Sequence, residues 1–398
     1  MDNIVDFKLS RVERLLFKLL KIGFSKREEI PADAYSDSVT AAEWVECYKL
    51  ACTHGVMALA WDGVVKLPKN QQPPLSVKVP WALAVEEYEK KYLRYCRTIE
   101  ELSLLYKENS IATVQLKGVG LSSYYPVPKH REGGDIDIYT FAAESLCSGP
   151  KCGYLFDEKR DKEANELADD LMEKAGIEVE KHSYKHSNFY YKGIPFENHK
   201  TFLKVEEYRY DREVDKYLKG ILNPQAILLD GCSNQILIPS LEFNSVFVPF
   251  HAIQHNGTGL SLHHLCDWAM IVEKGGLDVW PEEIKDNRFL TGIAAFTLLS
   301  DNLLGTQSAL SEKENTLFAS VAGEKKVVGL ARNILQEMLY PPYLKDVPVK
   351  GKLKILRYKT GRFLHRNRLL KDVFEFSIMM NIWKSVIAHI RVPKTIFK

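Results

Sequence analysis

Two carboxylates, Asp135 and Asp137, stand two residues apart in the run Arg131-Glu-Gly-Gly-Asp-Ile-Asp-Ile-Tyr139. On a strand, side chains two apart leave the same face, so the pair would be held side by side. Adjacent carboxylates repel, and each makes the other costlier to ionise unless a cation lies between them. Hard divalent cations take carboxylate oxygen, so the spacing points to metal-assisted chemistry at a phosphate. Gly133 and Gly134 let the backbone turn sharply and leave room for a bulky ligand. By itself, an Asp-x-Asp also describes a strand with two solvated acids beside a turn.

The elements around the pair narrow the choice. Thr113 to Leu116 is β-branched and apolar, which predicts a short strand that Lys117-Gly118 ends. Leu121 to Tyr125 suits one or two helical turns before Pro126 and Pro128 stop them. The order is therefore strand, glycine turn, short helix, proline-rich loop, Arg131, two glycines, then a strand with two acids. Further on, Phe189-Tyr-Tyr191, Lys192-Gly193 and Ile194 to His199 predict two strands around a tight turn. Glu197 on the second of these is the candidate third acid, and the alternative is an exposed acid at a strand end.

Leu116-Lys117-Gly118, Arg131 and Gly134-Asp135-Ile136-Asp137 together resemble the pattern of the polymerase-β-like nucleotidyltransferase superfamily. The closest likeness is to its uncharacterised nucleotidyltransferase branch, often found in bacteria. The resemblance implies an α+β fold, a small mixed sheet flanked by helical regions at both ends. It implies a glycine turn after the first strand and a third acid on a neighbouring strand. The branch also carries a Lys-His before the hairpin and an acid-x-His after it, here Lys185-His186 and Glu197-Asn198-His199. On this likeness Asp135, Asp137 and Glu197 are the expected catalytic residues and metal ligands. Lys117, Gly118, Arg131, Gly133, Gly134, His199 and His255 are the expected nucleotide-binding residues. The implied cofactor is Mg2+, as two ions about 4 Å apart, with Mn2+ as a substitute. The implied substrates are an NTP and an acceptor hydroxyl, with pyrophosphate released. Arg131, with its planar fork, is the expected phosphate partner. Lys117 either joins it or supports the turn. The chain departs from the superfamily at Val119, where Gly or Ser usually follows the turn glycine, and at Gly133, where Ser or Thr is frequent.

The chain has 398 residues, 45% of them hydrophobic, and a net charge of only +2. That length supports two or three domains, and the near-neutral balance supplies no global field for nucleic acid. Its 7 cysteines fall at irregular spacings, unlike a secreted disulfide framework. Lys and Arg interrupt Met1 to Phe24 too often for a signal peptide, and no apolar run reaches membrane-spanning length. A reduced, cytoplasmic protein is expected. Residues 1–108 are expected to be helical: Ala41 to Ala60, a break from Lys69 to Ser76, then a long amphipathic helix from Trp81 to Asn109, its aromatics serving as core. Residues 109–205 form the expected catalytic core, with an insertion near 145–161, and Lys162 to Ala175 is a helix that Gly176 stops. Cys147 and Cys152 in the insertion lack the two further close ligands of a zinc knuckle and are expected in a surface loop.

Residues 206–345 are expected to be helical. His251 and His255 lie at i and i+4 on one helix face, and Leu262-His-His-Leu-Cys-Asp-Trp268 resembles a His-rich segment of the same branch. These side chains either line the nucleotide cleft or bond between paired helices. Residues 346–398 form a basic amphipathic segment: from Lys350 onward there are 13 Lys or Arg against 2 acids, with an apolar stripe from Phe376 to Ile390. Such a segment can dock on nucleic acid, an anionic membrane surface or an acidic partner, or pack on the chain's own body. The expected activity is metal-dependent nucleotidyl transfer. Two alternatives stand beside it: a non-catalytic NTP-binding or interaction protein that keeps the fold, and a toxin-type nucleotidyltransferase that modifies tRNA.

Overall fold

A computed structural model describes residues 7–25, 38–146, 154–205, 209–257, 259–284, 287–306, 324–341 and 351–371. The two cysteines of the insertion, and the apolar stripe beyond residue 371, lie outside the described residues.

The chain opens with four helices: α1 (Arg11–Phe24), α2 (Ala41–Thr53), α3 (Met57–Lys66) and α4 (Leu75–Glu108). Ser10 and Thr40 cap α1 and α2 with full capping boxes, each answered by the glutamate three residues on. The single helix expected over Ala41 to Ala60 is two, because Gly55 takes a left-handed φ of 63° and breaks it. The long fourth helix begins at Leu75, earlier than Trp81, and tolerates Pro80 within its second turn.

The sheet follows: β1 (Ile111–Gln115), β2 (Ile136–Ala142), β3 (Val179–Glu180), β4 (His186–Tyr191) and β5 (Ile194–His199). Between them lie α5 (Val119–Ser122) and α6 (Glu158–Lys174), the latter stopped at Gly176 with φ 79°. After α7 (Arg209–Gly220), two short strands, β6 (Gln225–Ile227) and β7 (Ile236–Ile238), interrupt the expected helical run. Three residues are too few to show an alternation, which is why the pattern does not announce them. Helices resume as α8 (Leu241–Gln254), α9 (Leu262–Glu273), α10 (Asn287–Leu299), α11 (Glu324–Leu339) and α12 (Lys352–Lys371). The protein is thus α+β, with a mixed sheet ordered β3-β4-β5-β2-β1-β7-β6 and helical regions on both sides of it in sequence. Among the described residues, no helix is long and apolar enough to cross a membrane.

Alternation along the strands divides the sheet between two cores. Ile136, Ile138, Phe189 and Phe196 pack under α4 and α6, with Ile99, Tyr106 and Met172. Tyr139 and Phe141 belong to the other core with Phe202, Phe243 and Phe247, which joins the sheet to α8. Asp137 is on that second face, near the start of the strand, and is buried. Burial on both faces pins the register, since a slip of one residue would invert every side chain.

Of the basic C-terminal segment, α12 docks on the body. Leu370 is buried, and His365 Nε2 lies 2.8 Å from Glu337 Oε1 on α11. Arg357 and Arg368 stay exposed.

Candidate active site

The turn after β1 starts the site. Gly118 takes φ 57° and ψ −118°, a conformation closed to L side chains, and α5 begins at the next residue. A Cβ on Gly120 would stand 2.3 Å from the Gln115 carbonyl, so only glycine lets α5 pack against β1. Lys117 leaves this turn toward the strand beside it, and its Nζ lies 2.7 Å from Asp137 Oδ1.

The Gly133-Gly134 loop is gripped from outside. Tyr88, Lys91 and Tyr95 share one face of α4. The Tyr88 hydroxyl donates to the Arg131 carbonyl (3.2 Å) and accepts from the Gly133 N–H (2.6 Å). Lys91 Nζ donates to the Gly133 carbonyl and the Tyr95 hydroxyl to that of Gly134, both at 2.9 Å. Sequence reasoning assigned such aromatics to the core. Their spacing of three and four residues was the available signal, but it gives a helix face and not its partner.

Arg131 anchors the same loop from within. Its Nε and Nη2 meet the two oxygens of Asp267 at 3.0 and 2.6 Å, and the Tyr125 hydroxyl donates to the same carboxylate at 2.5 Å. The fork expected to meet phosphate therefore faces a carboxylate of α9. Arg131 still lines the cleft, and Asp267, 4% exposed, is the counter-ion that makes its burial tolerable. Burial lowers the Arg131 pKa, but Asp267 outweighs it and holds the guanidinium firmly charged.

Across the sheet, β2 and β5 run parallel with Asp137 beside Glu197 in register. The residue between Glu197 and His199 points the other way. Asn198 is bonded to Thr140 and Asn165 (both 2.9 Å) and to Asp169 (3.0 Å), a buried network that ties β5 to β2 and α6. That network fixes where Glu197 and His199 stand on the opposite face. His199 Nε2 lies 2.9 Å from Asp137 Oδ1 and 3.6 Å from Glu197 Oε2, while its Nδ1 faces the Thr201 carbonyl at 3.2 Å. Without a metal, Nε2–H donates to the Asp137 carboxylate; a cation between the carboxylates would take Nε2 as a lone-pair ligand, with Nδ1–H turned to the Thr201 carbonyl. Ligand atoms of Asp137, Glu197 and His199 all lie within 4.8 Å of one another. Asp135, expected on the same strand, lies in the bend just before β2, where it lines the same cleft and is more exposed.

The charges interlock. Burial raises the Asp137 pKa, yet Lys117 and His199 outweigh it and hold the carboxyl well below the usual range. Burial, then the Asp137 charge, pushes Asp135 up. Burial lowers Lys117, but Asp137, Asp135 and Glu197 together keep it above its ordinary value. Lys185, buried and close to the Lys117 charge, is pushed down to about 8.

A cleft of about 580 Å³ opens over these groups, and α8 and α9 form its far wall. There His251 and His255 face His264, with ligand atoms within 4.8 Å. His251 Nε2 is 3.1 Å from His255 Nε2 and 3.3 Å from Lys117 Nζ, so Lys117 bridges the two walls. Burial holds all three imidazoles neutral; His255 is lowered to about 2. The Ser261 N–H donates to His264 Nδ1 and fixes that ring at the start of α9. Of the residues singled out in the sequence, Lys117, Gly118, Arg131, Gly133, Gly134, Asp135, Asp137, Glu197 and His255 all line this one cleft. His199 lies beneath it as the partner of Asp137.

A glycine turn, an acid near the start of one strand with a second just ahead of that strand, and a third acid on the parallel neighbour are the pattern of a polymerase-β-like nucleotidyltransferase core. The chain matches the family model described as "Uncharacterised nucleotidyltransferase" over residues 40–144 and 160–294, and it belongs to that family. Neither the curated proteins nor the solved structures compared with it gave a match.

Proposed function

We propose that the protein transfers a nucleoside monophosphate from an NTP to an acceptor hydroxyl and releases pyrophosphate. The observation that carries this reading is the register of β2 on β5, which sets Glu197 beside Asp137 with Asp135 two residues away, at the floor of a cleft walled by lysines. The donor set suits a divalent cation: carboxylates that repel one another, one of them with a raised pKa, and an imidazole nitrogen close to two of them. Mg2+, or Mn2+ in its place, would be held by Asp135, Asp137 and Glu197, with His199 adding nitrogen, and would neutralise the attacking and leaving oxygens of an in-line displacement.

The rest is the work of the chain's own residues. Lys117 and Lys185 offer ammonium groups to the triphosphate, and the open backbone at Gly118 and Gly133-Gly134 lets it approach closely. His255 and its neighbours form a neutral wall that excludes water without adding charge. Glu197 accepts the hydroxyl proton as the oxygen attacks the α-phosphorus. Arg131 shapes the loop through Asp267 and leaves the phosphates to the lysines. In this reading the exposed basic face of α12 is available to nucleic acid or an anionic membrane surface.

The test is label transfer from NTP with Mg2+, comparing α- and γ-phosphate label. Incorporation of α-label with stoichiometric pyrophosphate supports the proposal. Incorporation of γ-label, or NTP binding with no transfer to cell extract, overturns it in favour of a kinase or a non-catalytic NTP-binding protein.

A further inference from the structure

A second cavity, of about 780 Å³, opens on the other side of the same carboxylates. It shares Gly134, Asp135 and Glu197 with the lysine-walled cleft and runs from there to the β3 edge of the sheet. The register explains its floor. Glu180 pairs with Asn188, Asn188 with Glu197, and Glu197 with Asp137, so these four residues form one cross-strand row on one face. Two residues further along β4, Tyr190 pairs with Pro195 and shares that face. Glu178, two before Glu180, extends the row's edge.

The two cavities differ in charge. Among the described residues, no Lys, Arg or His lines the second one. Lys181, next to Glu180, has the opposite parity and pairs with Asp170 and Glu173 on α6, both at 3.0 Å. Glu178 and Glu180 are exposed, and Asn188 lies half-buried between Glu180 and Glu197 in the row. Tyr190 is 70% exposed, a flat ring beside a proline. The groove thus offers acceptors for N–H donors, an aromatic face and no cation. Its volume falls in the range of about 300–1,000 Å³ usual for small-molecule sites.

An in-line displacement fixes which partner goes where, because the attacking and leaving groups stand on opposite sides of the phosphorus. Resting on the transfer reading above, the polyanionic leaving group belongs in the lysine-walled cleft and the acceptor in the groove opposite. We propose that this groove is the acceptor site and that the acceptor is a small polyhydroxylated amine, not a nucleic-acid end. Its ammonium groups meet Glu180 and Glu178, and a ring lies on Tyr190. One of its hydroxyls reaches Glu197. That oxygen bonds to the α-phosphorus, the bond from the α-phosphorus to the bridging oxygen breaks, pyrophosphate leaves with the electron pair, and the proton passes to Glu197 and then solvent. A polynucleotide end would bring its own phosphates against Asp135, Glu178, Glu180 and Glu197.

Three trisaccharides of matched size and different charge make the test: fully deacetylated chitotriose, maltotriose and trigalacturonate, with a short single-stranded RNA as a fourth arm. Binding to the full-length protein is measured by calorimetry at mildly acidic pH, where the glucosamine amines are charged, and label transfer is measured in parallel. The expected order is chitotriose amine first, maltotriose weaker, trigalacturonate and RNA undetectable. Glu178→Gln with Glu180→Gln should weaken the cationic probe roughly tenfold or more, the usual worth of a charge-assisted hydrogen bond, with NTP affinity unchanged. Glu180→Lys should reverse the preference toward trigalacturonate. Equal binding of the cationic sugar by the parent and the double variant overturns the assignment, as does labelling of RNA by both. Charge-selective, Glu180-dependent binding without any label transfer would keep the groove and sink the transfer reading, so the two fail separately.

Discussion

The two walls of the cleft handle charge in opposite ways. On the sheet side, Asp135, Asp137, Glu197 and Lys117 are interleaved, and Asp137 and Glu197 each have a cation or an imidazole within reach. On the helical side, His251, His255 and His264 are equally close together but neutral, because burial and the Lys117 charge both disfavour protons. The nearest carboxylate on that side, Asp267, has both oxygens committed to Arg131 and one also to Tyr125. Equal crowding therefore produces a charged candidate cation cluster on one wall and a neutral imidazole cluster on the other, each with ligand atoms within 4.8 Å. The difference lies in which counter-ions remain free.

The most severe way to test that contrast is to remove its charged half. Asp137→Ala should lower transfer roughly 10³-fold, the scale of losing a principal electrostatic element of a catalytic site. Repulsion between adjacent carboxylates, taken by itself, predicts relief and a gain in stability for the metal-free variant. The structure revises that expectation, because Asp137 is the counter-ion of Lys117 and the partner of His199. The metal-free variant should therefore melt no higher than the parent, which thermal unfolding in chelator checks. Parental activity would end the two-wall account.

Breaking the anchor between the walls comes next. Arg131→Ala leaves Asp267 buried without its cation, at a cost of about 3–5 kcal/mol. The expected result is a large fall in denaturation midpoint. Arg131→Lys should recover only part, since an ammonium cannot form both bonds. If Arg131→Ala were instead stable and defective only in nucleotide affinity, the fork would belong to the phosphates after all.

What the sequence revealed follows the same division. The Asp-x-Asp, the hairpin and Glu197 are legible because strand periodicity and turn residues are local rules. Gly118 and Gly176 are legible for the same reason. The grip of Tyr88, Lys91 and Tyr95 on the glycine loop is not, because a helix face is visible in sequence while the loop it meets, some forty residues on, is not. The same holds for Asp267 against Arg131 and for Asn165 against Asn198, buried polar pairs far apart in the chain. The pairing of His251 and His255 was visible, but the arrival of His264 depends on how α8 meets α9.

A milder test uses pH. Lys185 is pushed down to about 8 by burial and then by Lys117, whereas in an unfolded chain it titrates near 10.4. The cation is present below pH 8 and lost as pH rises through it, so NTP affinity should weaken roughly tenfold across that window. Lys185→Gln should be weak throughout and lack the inflection. A parent profile that is flat through pH 8 would place Lys185 outside the phosphate site.

The smallest expected effect separates the two acids of the Asp-x-Asp. Asp135 has a raised pKa, from burial first and the Asp137 charge second, whereas Asp137 is held low by its cation and imidazole. A carboxyl whose folded value lies above its unfolded one costs stability wherever it is ionised, and the cost vanishes as pH falls below the unfolded value. Without metal, Asp135→Asn should therefore raise the melting temperature slightly at neutral pH, with the gain shrinking toward acid. Asp137→Asn should not raise it at any pH. Asp135 is exposed enough for solvent to screen most of the repulsion, so a shift of a degree or so is expected. Added Mg2+ should reverse the ranking, favouring the parent, because the repulsion the variant relieves is then neutralised by the ion. If Asp135→Asn lowered the melting temperature in chelator, the two aspartates would be equivalent supports of the fold, and the division of labour between them would be lost.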